Sequence, residues 1–108
     1  ADIPKEIQLL RTRLMVEELG ELVSAMHNQD LLKTADGLAD LLYVVLGTAL
    51  AYGIPITRVF DEVHRSNMTK AVFSKNLGEK YGTEMGKGTS FISPDLQFLL
   101  KDTLNDIN

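Results

Sequence analysis

Five carboxylates stand near one another in the first forty residues: Glu17, Glu18 and Glu21, then Asp36 and Asp40. Each group lies inside a long helical pattern. The three glutamates fall on an arc of about 100° around the position of Leu14, so they interrupt an apolar stripe. Asp36 and Asp40 are four residues apart and share a face that continues through Tyr43, Gly47 and Ala51. Two aspartates at this spacing repel each other and form helix poorly. Neither property stabilises a helix, and a local cost of this kind points to function. The plainer alternatives are a solvated acidic face for the glutamates and, for Asp36, a place near a helix start where the dipole favours acids. Carboxylates do not gather in a core without a cation to neutralise them. The chain has no Cys, and no His stands beside the acids. An all-oxygen donor set suits a hard ion, Mg²⁺ first and Mn²⁺ second.

Two helices must position these groups. The first is predicted from Pro4 or Lys5 to about His27, with Pro suited to the first turn. Asn28-Gln29-Asp30 is the turn, and Asp30 is a good N-cap for a second helix from Leu31 to about Tyr52. Gly53 is its expected stop, with Pro55 just beyond. The short turn makes the helices antiparallel neighbours. Glu21 lies seven residues before Asn28 and Asp36 six after Asp30, so the acidic groups can meet at a similar height. Glu18 and Glu21 then face Asp40, with Asp36 beside it. From Leu41 to Ala51 the second helix is apolar on every side, which demands cover on every side. A chain of 108 residues cannot readily supply that cover alone. The expectation is a homo-oligomer, with Gly47, Ala49 and Ala51 allowing close approach.

A third helix is expected from an N-cap at Thr57 to Lys70 or Phe73, packed through Val59, Phe60, Val63 and Met68. His64, Asn67 and Lys70 make a polar row along it. An Asn amide can read a base edge or a phosphate; an exposed polar face is the alternative, and His64 alone is more often structural. Glu62 and His64 lack the Glu-x-x-His spacing of di-iron bundles. From Ser74 to Ser93 the pattern gives way to recurring Gly with Lys75, Lys80 and Lys87 between, a basic loop suited to an anion or a partner subunit. It lacks the spacing of a Walker A loop. Ser93 as N-cap, Pro94 at the first position and Asp95 in the first turn open a last helix to about Leu104.

Composition narrows the classes. One domain over residues 1–108 fits the length, and 44% apolar residues fit a folded chain. A net charge of −4 argues against a nucleic-acid binder. No signal peptide is apparent, and the uncharged run from Leu41 to Thr57, containing Gly47, Gly53 and Pro55, reads as too short and broken to span a bilayer. A cytoplasmic protein that contacts no membrane is the expectation. Its charge still admits one phosphorylated small molecule. Mg²⁺ is usually completed by waters and substrate phosphates. Glu17, left over in the cluster, could orient or deprotonate an attacking water. Lys70 and the loop lysines could neutralise a leaving group.

Glu17-Glu18-x-x-Glu21, then Ala35-Asp36-Gly37-Leu38-Ala39-Asp40-Leu41-Leu42-Tyr43-Val44, then Val63-His64-Arg65-Ser66-Asn67-Met68-Thr69-Lys70 resembles the MazG-like nucleotide pyrophosphohydrolases, in their phosphoribosyl-ATP pyrophosphohydrolase-like branch. The resemblance extends from about Leu9 to Leu96. It implies an all-α helical bundle whose core is completed by homo-oligomerisation, as a dimer or tetramer. It implies Mg²⁺-dependent cleavage of a nucleoside triphosphate between its α and β phosphates, giving monophosphate and pyrophosphate. Glu18, Glu21 and Asp40 match the family's metal ligands, and Glu17 the acid that precedes them. Asn67 and Lys70 match nucleotide or phosphate positions. Tyr43, with Phe60 and Asn67, is a candidate for the base, and His64 and Lys87 for further substrate contacts. Two features depart from the pattern. The second motif is usually Glu-x-x-Asp, whereas Gly37 stands three before Asp40 and the acid sits at Asp36. Members also usually carry a further helix before the point where this chain begins. Control of the nucleotide pool is the leading reading; phosphoribosyl-ATP hydrolysis in histidine synthesis and a catalytically silent helical dimer are the others.

Overall fold

Pro4 starts the first helix as its chemistry requires. It lacks an N–H, and its carbonyl accepts from Ile7 N at 3.0 Å and Gln8 N at 3.1 Å. In this computed structural model, residues 2–76 and 92–105 are described. They form α1 (Lys5–His27), α2 (Leu31–Ala51), α3 (Ile56–Asn76) and α4 (Leu96–Asn105), with no strand among the described residues. The chain divides into two compact units, Ala1–Ile54 with Thr103–Asn108, and Pro55–Asp102.

In the first unit α1 and α2 form an antiparallel pair. Asp30 N donates to Ala25 O at 3.0 Å and Gln29 N to Met26 O at 3.1 Å, a closing pattern that puts Gln29 at φ 56°. Asp30 then caps α2 by accepting from Lys33 N at 3.0 Å. The same closure ends α2, with Gly53 at φ 70° and Ile54 N on Ala49 O at 2.8 Å. Leu22, Ala25, Gly37 and Ala49 are buried in the seam. A Cβ at Gly37 would come within 3.3 Å of Leu22 Cα, so the helices cross closely there.

Two expectations for α2 change. The helix runs unbroken through Gly47, and by length and composition alone it could cross a bilayer. Asp40 lies near its middle and Asp36 one turn earlier, where a lipid environment is costly for charge. Gly47 and Ala49 are also spent within the chain. Ala49 is buried, and Arg11 lies over Gly47, whose added Cβ would stand 2.7 Å from Arg11 Nη2. Other apolar groups of α2 do stay open: Leu32 is 84% exposed and Leu50 83%.

In the second unit α3 begins two residues earlier than an N-cap at Thr57 implies. Pro55 O takes the first helical bond, from Val59 N at 3.1 Å, so Thr57 lies inside the helix and does not cap it. The helix continues to Asn76, past the predicted end. Phe60 is not a packing residue: it is 64% exposed and stacks on His64 with ring centroids 6.3 Å apart. Met68 is exposed as well. At α4 the cap is Asp95, whose Oδ1 accepts from Phe98 N at 3.2 Å. Ser93 is used differently, its carbonyl accepting from Arg65 Nη2 at 3.2 Å. Asp95 N in turn donates to Glu62 Oε2 at 2.7 Å, and Ile92 N donates to Thr69 Oγ1 at 3.1 Å.

Candidate metal centre

The carboxylates meet in the α1–α2 seam. A cleft of about 690 Å³ is lined by Glu17, Glu21, Asp36 and Asp40, together with Gly20, Ser24, Asn28, Asp30, Lys33 and the apolar Val16, Ala25 and Gly37. All of these come from α1, α2 and the turn between them. The 3.6-residue period explains the convergence: Glu17 and Glu21 share a row of α1, Asp36 and Asp40 a row of α2. Lys33 is the single cationic lining residue.

Glu18 sits deeper in the seam. Its Oε2 is buried and has no hydrogen-bond partner. Burial raises its pKa above the ordinary carboxyl value, and the nearby charges of Glu21, Asp40 and Glu17 raise it further. Two carboxylates can share a hydrogen bond only when one is protonated, and such a bond with Glu21 also favours the protonated form. Glu17 lines the cleft and also forms an exposed pair with Arg13, Nε to Oε1 3.8 Å, of a kind that contributes little.

The donors fit a hard divalent cation in their chemistry. They are oxygens on two helices locked at close range, and Glu18 Oε2 is a buried anionic acceptor with nothing donating to it. As the side chains stand, no three His, Asp or Glu groups among the described residues close into a ready cage. Like charges at this range repel and splay long side chains.

The departure at residue 37 has a packing explanation. Gly37 gives its position to the contact with Leu22, and the acid one residue earlier, Asp36, lines the cleft. The expected substrate contacts are distributed otherwise. Tyr43 is 82% exposed on α2 in the first unit. His64, Asn67 and Lys70 lie on α3 in the second unit, His64 and Asn67 exposed. Lys87 lies outside the described residues. Sequence reasoning passed over Arg11 and Lys33. The signal for Arg11 was available: it stands two turns before Glu18, a cation on the same face.

The profile of the phosphoribosyl-ATP pyrophosphohydrolase family matches residues 3–67. The chain belongs to this family. The matched segment holds all five carboxylates and ends at Asn67, so Lys70 and the Gly/Lys stretch lie beyond it. It supports a pyrophosphohydrolase-type activity. The chain is also similar to a protein of Acanthamoeba polyphaga mimivirus described as uncharacterized, 44% identical over 45 residues. That stretch is 42% of this chain and 18% of the viral protein, so the chain spans a small part of that relative's length. No solved structure matches.

Proposed function

We propose that this protein is a Mg²⁺-dependent nucleoside triphosphate pyrophosphohydrolase, with Mn²⁺ as an alternative ion, acting in the cytoplasm on the nucleotide pool. The observation that carries the reading is the buried, unpartnered Glu18 Oε2 among Glu21, Asp40 and Glu17. A carboxylate left so costs stability, and a divalent cation is the partner its neighbours select.

Glu18, Glu21 and Asp40 would hold the ion, with Asp36 at the rim of the cleft. A bound Mg²⁺ supplies charge neutralisation for the phosphates and polarises a phosphoryl oxygen. Glu17, lining the cleft with Glu21, would orient a water toward the α-phosphorus and accept its proton. The new bond joins the water oxygen to the α-phosphorus. The bond broken is the one from that phosphorus to the α–β bridging oxygen. Monophosphate and pyrophosphate leave. Of the expected substrate contacts, Tyr43 lies on α2 in the same unit as the carboxylates and is assigned to a flanking contact.

A second reading is favoured by the matched family's own description, which names phosphoribosyl-ATP as the substrate. Its chemistry and carboxylates would be the same. Self-association is part of either reading, because Leu32, Leu50 and Tyr43 leave an apolar face of α2 open. Incubation with Mg²⁺ and a panel of nucleoside triphosphates plus phosphoribosyl-ATP, with chromatography of products, tests both. Monophosphate and pyrophosphate from ordinary triphosphates are expected. Turnover confined to phosphoribosyl-ATP would establish the second reading. No turnover of any of these would refute both.

A further inference from the structure

Arg11 is a cation on the α2-facing side of α1 that the carboxylate chemistry does not explain. It lies partly buried in the seam. Its Nε donates to Thr48 Oγ1 at 3.1 Å and its Nη2 to Val44 O at 3.1 Å. Thr48 Oγ1 donates to the same Val44 O at 2.7 Å, so the contacts close a small hydrogen-bonded ring. No carboxylate lies within ion-pair distance of Arg11 among the described residues. The guanidinium fits because residue 47 is Gly, where a Cβ would stand 2.7 Å from Nη2.

As a stabiliser, this arrangement is a poor choice. A partly buried charge with no counter-charge is usually improved by an apolar side chain of similar size. Hydrogen bonds do supply what apolar packing lacks, namely direction. A polar residue in a helix seam specifies register at some cost in stability. The register at Arg11 is the one the carboxylates need. Along α1, Arg11, Glu18 and Leu22 follow one another on the seam side. Along α2, Thr48 and Val44, then Asp40, then Gly37 run the opposite way. Arg11 meets Val44 and Thr48 at one end, and Leu22 meets Gly37 at the other. Glu18 and Asp40 fall between these two fixed contacts. A slip of one residue would move Asp40 about 1.5 Å along the axis and about 100° around it, carrying it away from Glu18.

We infer that Arg11, seated over Gly47, is a positioning residue that sets the axial register of α1 and α2 so that Asp40 completes the site begun by Glu18 and Glu21. The inference rests on the reading of that cluster as a cation site. It acts on ion affinity through the helices, with no contact between Arg11 and substrate or ion.

The test uses the full chain, Mg²⁺ and Mn²⁺ titrations followed by calorimetry without nucleotide, and circular dichroism. Gly47→Ala is the sharper variant. Ala is the better helix former, and its methyl meets only the guanidinium end of Arg11, so the protein folds. Arg11→Met and Arg11→Lys complete the set. Expected are unchanged helix content in all of them, ion affinity about tenfold weaker in Gly47→Ala and Arg11→Met, and partial recovery in Arg11→Lys. The melting temperature of metal-free Gly47→Ala stays equal to or above that of the unsubstituted chain, which separates lost register from lost stability. Ion affinity within twofold of the unsubstituted chain in Gly47→Ala or Arg11→Met overturns the inference. Absence of ion binding in the unsubstituted chain overturns instead the reading of the carboxylates.

Discussion

Glu18 in the α1–α2 unit and Glu62 in the α3–α4 unit are the same side chain in opposite circumstances. Glu62 is fully partnered. Arg65 gives it a two-pronged contact, Nε to Oε1 at 2.9 Å and Nη2 to Oε2 at 2.7 Å, and Asp95 N adds a third bond. The Arg65 bond first, and the Asp95 amide second, hold its pKa down to about 2. Glu18 is ringed by acids, has a buried oxygen with no donor, and is pushed upward. One carboxylate is placed to stabilise the fold. The other is left among like charges with a buried oxygen that nothing donates to. The difference shows that an acidic residue's role is read from what donates to it, since exposure and sequence position do not separate these two.

The largest effect should come from the acidic side of the pair. Glu21→Gln is expected to lower Mg²⁺-dependent hydrolysis by about a hundredfold or more, since even outer groups at a metal site cost 10–100-fold when removed. Circular dichroism should show the helices intact. Near-normal activity would break the assignment of the cluster.

On the partnered side, Glu62→Gln should lower the melting temperature by a few degrees at neutral pH and leave ion affinity unchanged. The pH dependence follows from its sign. The folded pKa, about 2, lies below the ordinary value of 4.5, so the contribution is fully present above pH 4.5 and is lost as pH falls toward 2. Melting curves of Glu62→Gln and the unsubstituted chain should therefore converge across that window. A difference that persists below it would mean that Glu62 acts through shape and not charge.

Smaller effects sharpen the packing half of the comparison. Gly37→Ala forces a methyl to within 3.3 Å of the Leu22 backbone. Overpacking of about 1–3 kcal/mol is set against a helix-propensity gain of up to ~1 kcal/mol, so urea denaturation should show a net loss of up to about 2 kcal/mol. Gly20→Ala should do the reverse. A Cβ there meets nothing within 4 Å, so stability should rise by roughly 0.5–1 kcal/mol. Because Gly20 lines the carboxylate cleft, a simultaneous rise in KM would show that bound substrate uses the space its missing side chain leaves.

Much of this was legible in the chain. The bounds of α1 and α2 follow from Pro4, Asp30 and Gly53, whose chemistry is local. The pairing of the glutamates with Asp40 follows from spacing on either side of a short turn. The α3–α4 unit was read less well, since its caps are decided at a distance. Asp95 caps in place of Ser93, and its own amide is taken by Glu62, far away in sequence. Phe60 looked like core by type, yet it lies exposed against His64, and periodicity cannot tell which apolar face of a helix finds a partner. Gly47 read as an interface residue because its use by Arg11 depends on a contact across thirty-odd residues.

The central claim is that Glu18 is kept for a cation, and thermal melting with and without Mg²⁺ tests it directly, comparing the unsubstituted chain with Glu18→Gln. A carboxyl whose folded pKa is raised contributes stability at low pH and loses it as pH rises through that value, so at neutral pH the metal-free glutamate is a burden. Expected at pH 7 are a higher metal-free melting temperature for Glu18→Gln, and an upward shift on adding Mg²⁺ confined to the unsubstituted chain. Equal Mg²⁺ shifts in both proteins, or none in either, would contradict the account.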